Sequence, residues 1–166
     1  AHSCNRHLPI GPTLPPPLPA VVSWVVAIDF RSSPRPTVGI EWEVALVDKT
    51  TRDLANRASE LFDAVHLHHA PLIDEARLHK ELLRNTVEIV TGICESVPEA
   101  VADLTDTAKK VRRHADALGV DLYSAGTHPF AQWSSQLLTP GHLYEELISR
   151  TQWWGRQMLI CGLHVH

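Results

Sequence analysis

From Val38 to Leu46 every even position is apolar (Val38, Ile40, Trp42, Val44, Leu46), while the odd positions include Glu41 and Glu43. A period of two marks a strand with one buried face and one open face. Two further stretches alternate in the same way. Between Leu82 and Thr91, Leu83, Val87 and Ile89 point one way and Arg84, Thr86 and Glu88 the other. Between Gln157 and His166, Leu159, Cys161, Leu163 and Val165 alternate with Gly162, His164 and His166. Each stretch is predicted to be a strand that buries its apolar side and presents oxygen or imidazole ligands on the other.

The helical period appears between these strands. Leu54, Ala58, Leu61, Phe62 and Val65 form one stripe and predict a helix over 51–65, followed by an irregular link over 66–73 that contains Pro71. Ser96 with Glu99 three residues on forms a capping box, and Pro98 sits in the tolerated first turn. Val101, Leu104, Ala108, Val111, Ala115 and Leu118 then recur at helical spacing up to Gly119, a C-terminal stop. A short strand over 120–125 leads into Gly126-Thr127-His128-Pro129-Phe130. A last helix runs from Thr139-Pro140 to about Trp154, with Leu143, Leu147 and Ile148 inward. The order is β-α-β-α-β-loop-α-β. Strand–helix alternation by itself allows a parallel sheet. The strands here alternate in polarity, which favours a largely antiparallel sheet with helices packed on one face, an α+β fold.

Composition adds boundaries and exclusions. Pro9, Pro12, Pro15, Pro16, Pro17 and Pro19 crowd an almost uncharged segment, so residues 1–26 are predicted to be a polyproline or disordered leader and residues 27–166 the folded domain. A hydrophobic fraction of 44% and a charged fraction of 20% are those of a soluble globular chain. The net charge is −4 and no Lys/Arg run occurs, so nucleic-acid binding has no electrostatic support. No apolar run approaches the about 18 residues of a membrane span, and the patch over 20–28 is too short. Cys4, Cys94 and Cys161 form no CxxC and cannot all pair, which points to a reducing cytoplasm. His66, His68 and His69 fall in the irregular link and are read as a solvated loop. Trp133, Trp153 and Trp154 with Arg156 are read as core and interface packing.

Carboxylates gathered on the open face of a sheet repel one another unless cations sit among them. Glu41, Glu43, Glu88 and His164 therefore suggest a divalent metal site in a phosphate-handling enzyme. His164 and His166 lie on one side of their strand, roughly 6–7 Å apart, which suits metal or phosphate contact. Gly162 on the same side leaves room for a ligand or a neighbouring backbone. Pro129 restricts His128 to extended conformations and so aims its ring. The chain lacks GxGxxG, GxxxxGK[ST] and GxSxG signatures. Cys161 falls on the apolar side of its strand, a poor place for a nucleophile. A metal-dependent hydrolase using the His and Glu pairs is an alternative, although no compact zinc set such as HExxH is present.

Four motifs in order carry a family resemblance: Thr37-Val38-Gly39-Ile40-Glu41-Trp42-Glu43; His79-Lys80-Glu81-Leu82-Leu83 with Thr86-Val87-Glu88-Ile89-Val90-Thr91-Gly92; Gly126-Thr127-His128-Pro129-Phe130-Ala131; and Trp153-Trp154-Gly155-Arg156-Gln157 through Gly162-Leu163-His164-Val165-His166. Over roughly residues 27–166 the chain resembles the amino-terminal half of type 2 glutamate–cysteine ligases, the carboxylate–amine ligases, in their actinobacterial, mycobacteria-like branch. The resemblance implies a sheet like the catalytic one of glutamine synthetase, and a cytoplasmic enzyme that uses ATP and Mg²⁺. It would join L-glutamate to L-cysteine, or to another amine, through an acyl phosphate. It implies Glu41, Glu43 and Glu88 as metal ligands, His164 as a metal or phosphate ligand, and Thr127 and His166 as cofactor-binding residues. Glu41, Glu43 and His128 would be catalytic, with Thr127 beside His128 in the substrate funnel. The family continues past the position of His166, with further strands, another metal-binding acid and a basic residue for phosphate. The partners expected are therefore small molecules, together with further copies of the chain or a missing carboxyl-terminal half. A fragment that turns nothing over is the competing expectation. The chain by itself is expected to show weak or no ligase activity, and full turnover in a ligation assay would contradict this.

Overall fold

β1 (Ile40–Asp48) is the strand to which the rest of the sheet attaches. The structure, a computed structural model, describes residues 32–66 and 73–166. The expected leader, the patch over 20–28, His68, His69 and the start of the domain at 27–31 lie outside the described residues. From Ser33 to His166 the described chain belongs to one unit.

One edge of β1 pairs antiparallel with β3 (Thr86–Val90), in the register Glu41 to Val90 and Glu43 to Glu88. Its other edge carries two strands end to end. β5 (Leu163–Val165) pairs with Ile40–Trp42, and β4 (Val120–Tyr123) pairs with Ala45–Asp48, both antiparallel. β2 (Leu78–Lys80) pairs antiparallel with β3. Among the described residues every ladder is antiparallel, and the helices make this an α+β fold, as the polarity pattern implied.

The even positions of β1 face the core. Ile40, Val44 and Leu46 are buried, and Val87, Ile89 and Leu78 join them from the neighbouring strands. Two helices close this layer. α1 (Ala58–His66) contributes Ala58, Leu61, Phe62 and Val65. α2 (Val97–Ala117) contributes Ala100, Leu104, Val111 and Ala115 and packs against β1, β3 and β4. The expected cap is present: Ser96 Oγ accepts from the Glu99 amide at 3.4 Å, and Glu99 Oε2 accepts from the Glu95 amide at 2.7 Å. Gly119 ends the helix at φ +74, a conformation that favours glycine.

Five expectations need correction. The helix expected over 51–65 begins only at Ala58. Asp48 Oδ1 accepts from the Thr50 and Thr51 amides at 2.8 Å each, Arg52 takes a positive φ, and Leu54 then bridges back to Val47. This side-chain turn competes successfully with a helical start. The second strand is a hairpin, β2–β3, because residues 81–85 turn and are clamped by the segment Leu137–Thr139. The last helix breaks at Gln152 into α3 (His142–Thr151) and α4 (Trp153–Arg156), and Leu143 and Leu147 are exposed while Ile148 is buried. Trp133, Trp153 and Trp154, expected in core and interface packing, are exposed and so do not lie in the core. Finally, β5 spans three residues, and its apolar side is open, with Leu163 60% and Val165 65% exposed.

Core and open apolar positions should respond differently to truncation. Leu46→Ala is expected to cost about 2–5 kcal/mol in urea unfolding, and Leu163→Ala less than about 0.5 kcal/mol. Equal losses would place Leu163 in the core.

Candidate metal and phosphate site

The register that builds the sheet also builds the site. Cα partners across a ladder send their side chains to the same face. His79 of β2 stands opposite Glu88 of β3, and Glu88 stands opposite Glu43 of β1. Two residues along β1 and on the same face, Glu41 stands opposite His164 of β5. Two strands, β1 and β3, thus deliver these acids, and two others, β2 and β5, the imidazoles.

Their ligand atoms converge. Glu41, Glu88 and His164 form one group, and Glu43, Glu81 and Glu88 another, each with donor atoms within 4.8 Å of one another. Glu88 belongs to both. His164 Nδ1–H donates to Glu41 Oε2 at 3.1 Å, and His166 Nε2 lies 3.3 Å from Glu41 Oε1. His79 Nδ1 lies 3.6 Å from Glu88 Oε1. The His164 hydrogen bond, reinforced by the one from His166, holds Glu41 below the usual carboxylate range. Glu81 and Glu88 are moved the other way. Burial pushes Glu81 up to about 7, helped by the negative charges of Glu88, Glu43 and Glu41. Burial likewise raises Glu88, with the charge of Glu41 adding to it and His79 opposing it. Neighbouring acids thus strain the face in a way that a cation would relieve.

Gly162 has a specific task. Its amide donates to Glu43 Oε2 at 2.7 Å, and an added Cβ would stand 3.0 Å from His164 Nε2. A side chain there would press on the imidazole. The space that the sequence reserves for a ligand or backbone is used by the His164 ring.

His128 and Thr127 are not brought into either donor group. His128 Nδ1 accepts from the Ala131 amide at 3.1 Å, so Nε2 carries the proton and donates to the Arg52 carbonyl at 2.9 Å. Both ring nitrogens are engaged by backbone. Tyr123 and Phe130 pack edge-on against the ring. Thr127 Oγ1 donates to the Leu159 carbonyl at 2.6 Å. Cys161 lines a small cavity with these two residues, and burial, with the charges of Glu43 and Glu81, pushes its thiol up to about 11. It stays protonated at neutral pH, in keeping with its expected inertness.

Glu81 and His79 are the site residues that periodicity missed. Glu81 sits in the turn after β2, where no alternation marks it. Thr139 holds it in place, donating its Oγ1 to the Glu81 carbonyl at 2.5 Å. Tyr144 stands close by, its hydroxyl bonded to the Lys80 carbonyl at 2.8 Å and its pKa raised by burial and by the charges of Glu81 and Glu88. The motif His79-Lys80-Glu81 was the available signal.

The sequence model of glutamate–cysteine ligase family 2 matches residues 37–166. The chain belongs to that family. A relative in Nocardia farcinica, provisionally named glutamate–cysteine ligase 2-2, is 63% identical over 142 residues, covering 86% of this chain and 37% of that protein. A relative in Rhodococcus jostii with the same provisional name is 60% identical over 141 residues, covering 85% of this chain and 37% of that protein. The chain therefore spans 37% of the length of these two relatives. The fold is similar to that of the glutamate–cysteine ligase of Francisella tularensis in complex with AMP. The TM-score is 0.54 at 14% identity, covering 78% of this chain and 26% of that one. Among the described residues no helix is long and apolar enough to cross a membrane.

The raised pKa of Glu81 gives a pH test. Its contribution to the cation-free fold is fully present below about 4.5 and is lost as pH rises through about 7. In EDTA, the melting temperature is expected to fall across that window, and the fall to be shallower in Glu81→Gln. Mg²⁺ or Mn²⁺ should raise the melting temperature of the native sequence more at about pH 8 than at about pH 5. Identical slopes for the two proteins would show that Glu81 titrates normally.

Proposed function

We propose that this chain carries the cation- and phosphate-facing part of an ATP-dependent carboxylate–amine ligase that joins the γ-carboxylate of L-glutamate to the amine of L-cysteine. The observation that carries the reading is Glu88, a carboxylate shared by two donor groups on one sheet face. The donor set suits Mg²⁺, because four carboxylates and one imidazole are mainly hard oxygen ligands. Glu41, Glu88 and His164 would hold one ion and Glu43, Glu81 and Glu88 a second. Ions held there would supply charge neutralisation during phosphoryl transfer.

The chain's own groups have definable tasks. Glu41 keeps a low pKa and stays ionised at neutral pH. His164 must release its Nδ1 proton for that nitrogen to act as a ligand. His166 stands on the outer side of Glu41 and faces a pocket with Gly39 and Thr91, where a phosphate oxygen could lie. His128 and Thr127 would shape the loop at the other end of the face. In the reaction, a glutamate γ-carboxylate oxygen attacks the terminal phosphorus of ATP and ADP leaves. The cysteine nitrogen then attacks the acyl carbon and phosphate departs. The AMP in the Francisella complex supports nucleotide use. The free cysteines Cys94 and Cys161 suit a reducing cytoplasm.

The span of 37% of the relatives favours a second reading, in which the chain binds ions and nucleotide but turns nothing over by itself. Titration with ATP in Mg²⁺ tests both. Binding is expected for the native sequence, with a loss of about tenfold or more in Glu88→Gln. Product formation once L-glutamate and L-cysteine are added to the same samples separates the ligase from the non-catalytic reading. ATP binding that is indifferent to EDTA and to Glu88→Gln would remove both.

A further inference from the structure

A cavity of about 750 Å³ lies between α2, β4 and the segment 128–130, away from the two donor groups. Its volume is in the range of small-molecule sites, roughly 300–1,000 Å³. Its chemistry is the reverse of the acidic face. Trp42, Tyr123 and Phe130 supply aromatic wall. The Trp42 ring is fixed, because its indole N–H donates to Ser124 Oγ at 2.9 Å. Three cations line the space, Arg52, Lys109 and Arg112, against one acid, Asp121. Arg52 Nη1 neutralises that acid at 2.8 Å. Lys109 and Arg112 stand one helical turn apart on α2 and offer two positive charges to the cavity. A space with aromatic walls and more cations than acids in its lining suits a planar anion.

We propose that this cavity binds a small organic anion with an aromatic or heteroaromatic body. The ring lies against Trp42 and Phe130, and the charged end lies on Lys109 and Arg112. Two sources share that chemistry, an aryl carboxylate and a nucleoside monophosphate. Trp42 lies in β1 between Glu41 and Glu43 with its side chain on the opposite face, so the cavity and the acidic face are on opposite sides of that strand. The proposal does not rest on the ligase reading, because it uses none of the donor groups.

Calorimetric titration of the full chain with indole-3-acetate and, separately, with AMP tests it, each in EDTA so that the acidic face holds no cation. Saturable one-to-one binding of either anion is expected, weakened about tenfold or more in Lys109→Glu/Arg112→Glu. Lys109→Gln/Arg112→Gln should show a smaller loss and guards against misfolding of the charge-reversed protein. Binding of indole-3-acetate alone assigns the carboxylate source, and binding of AMP alone the phosphate source. No saturable binding of either anion, or binding that both double variants leave unchanged, overturns the proposal.

Discussion

Three carboxylates share one sheet face, a fourth, Glu81, joins them from a turn, and their mutual repulsion is the constraint around which the site is arranged. The backbone fixes it. Once β1 and β3 pair in the register Glu43 to Glu88, the side chains have no other face to occupy without turning the core strand over. Val44, Leu46, Val87 and Ile89 hold that register by burying the opposite face. The hydrophobic side of the sheet thus supplies the free energy that keeps the acids together. Burial, and after it the charges of the neighbouring acids, raises the pKa of Glu81 and of Glu88.

The parts of the fold legible in the sequence are those where one physical term dominates. β1 and α2 have a long, clean period and, for α2, a cap and a stop, so their positions and buried faces agree with the pattern. Elsewhere a local interaction outweighed periodicity. Asp48 captures two amides and delays α1 by most of two turns. The positive φ at Gln152 divides the last helix. Leu163 and Val165 alternate like core residues, yet their side of the sheet lies open. Alternation specifies which side chains share a face. It does not specify whether another layer covers that face.

The site was legible to the same degree. Glu41, Glu43, Glu88 and His164 are on strands, and His166 directly follows β5, so strand alternation sufficed to set them on one side. Glu81 is on a turn, and its approach depends on the clamp between residues 81–85 and 137–139, a tertiary contact without a local signature. His128 shows the opposite case. Its position before Pro129 does aim the ring, but toward the Arg52 carbonyl and the Ala131 amide. Family membership accounts for the motifs; the register accounts for which of their residues meet.

The central claim is that Glu88 sits between two cations. Anomalous diffraction from crystals of the chain soaked in Mn²⁺ addresses it most directly. The account predicts two peaks about 3.5–4 Å apart, one beside Glu41 and His164, one beside Glu43 and Glu81, with Glu88 touching both. A single peak remote from Glu88, or no peak on this face at saturating Mn²⁺, would contradict it.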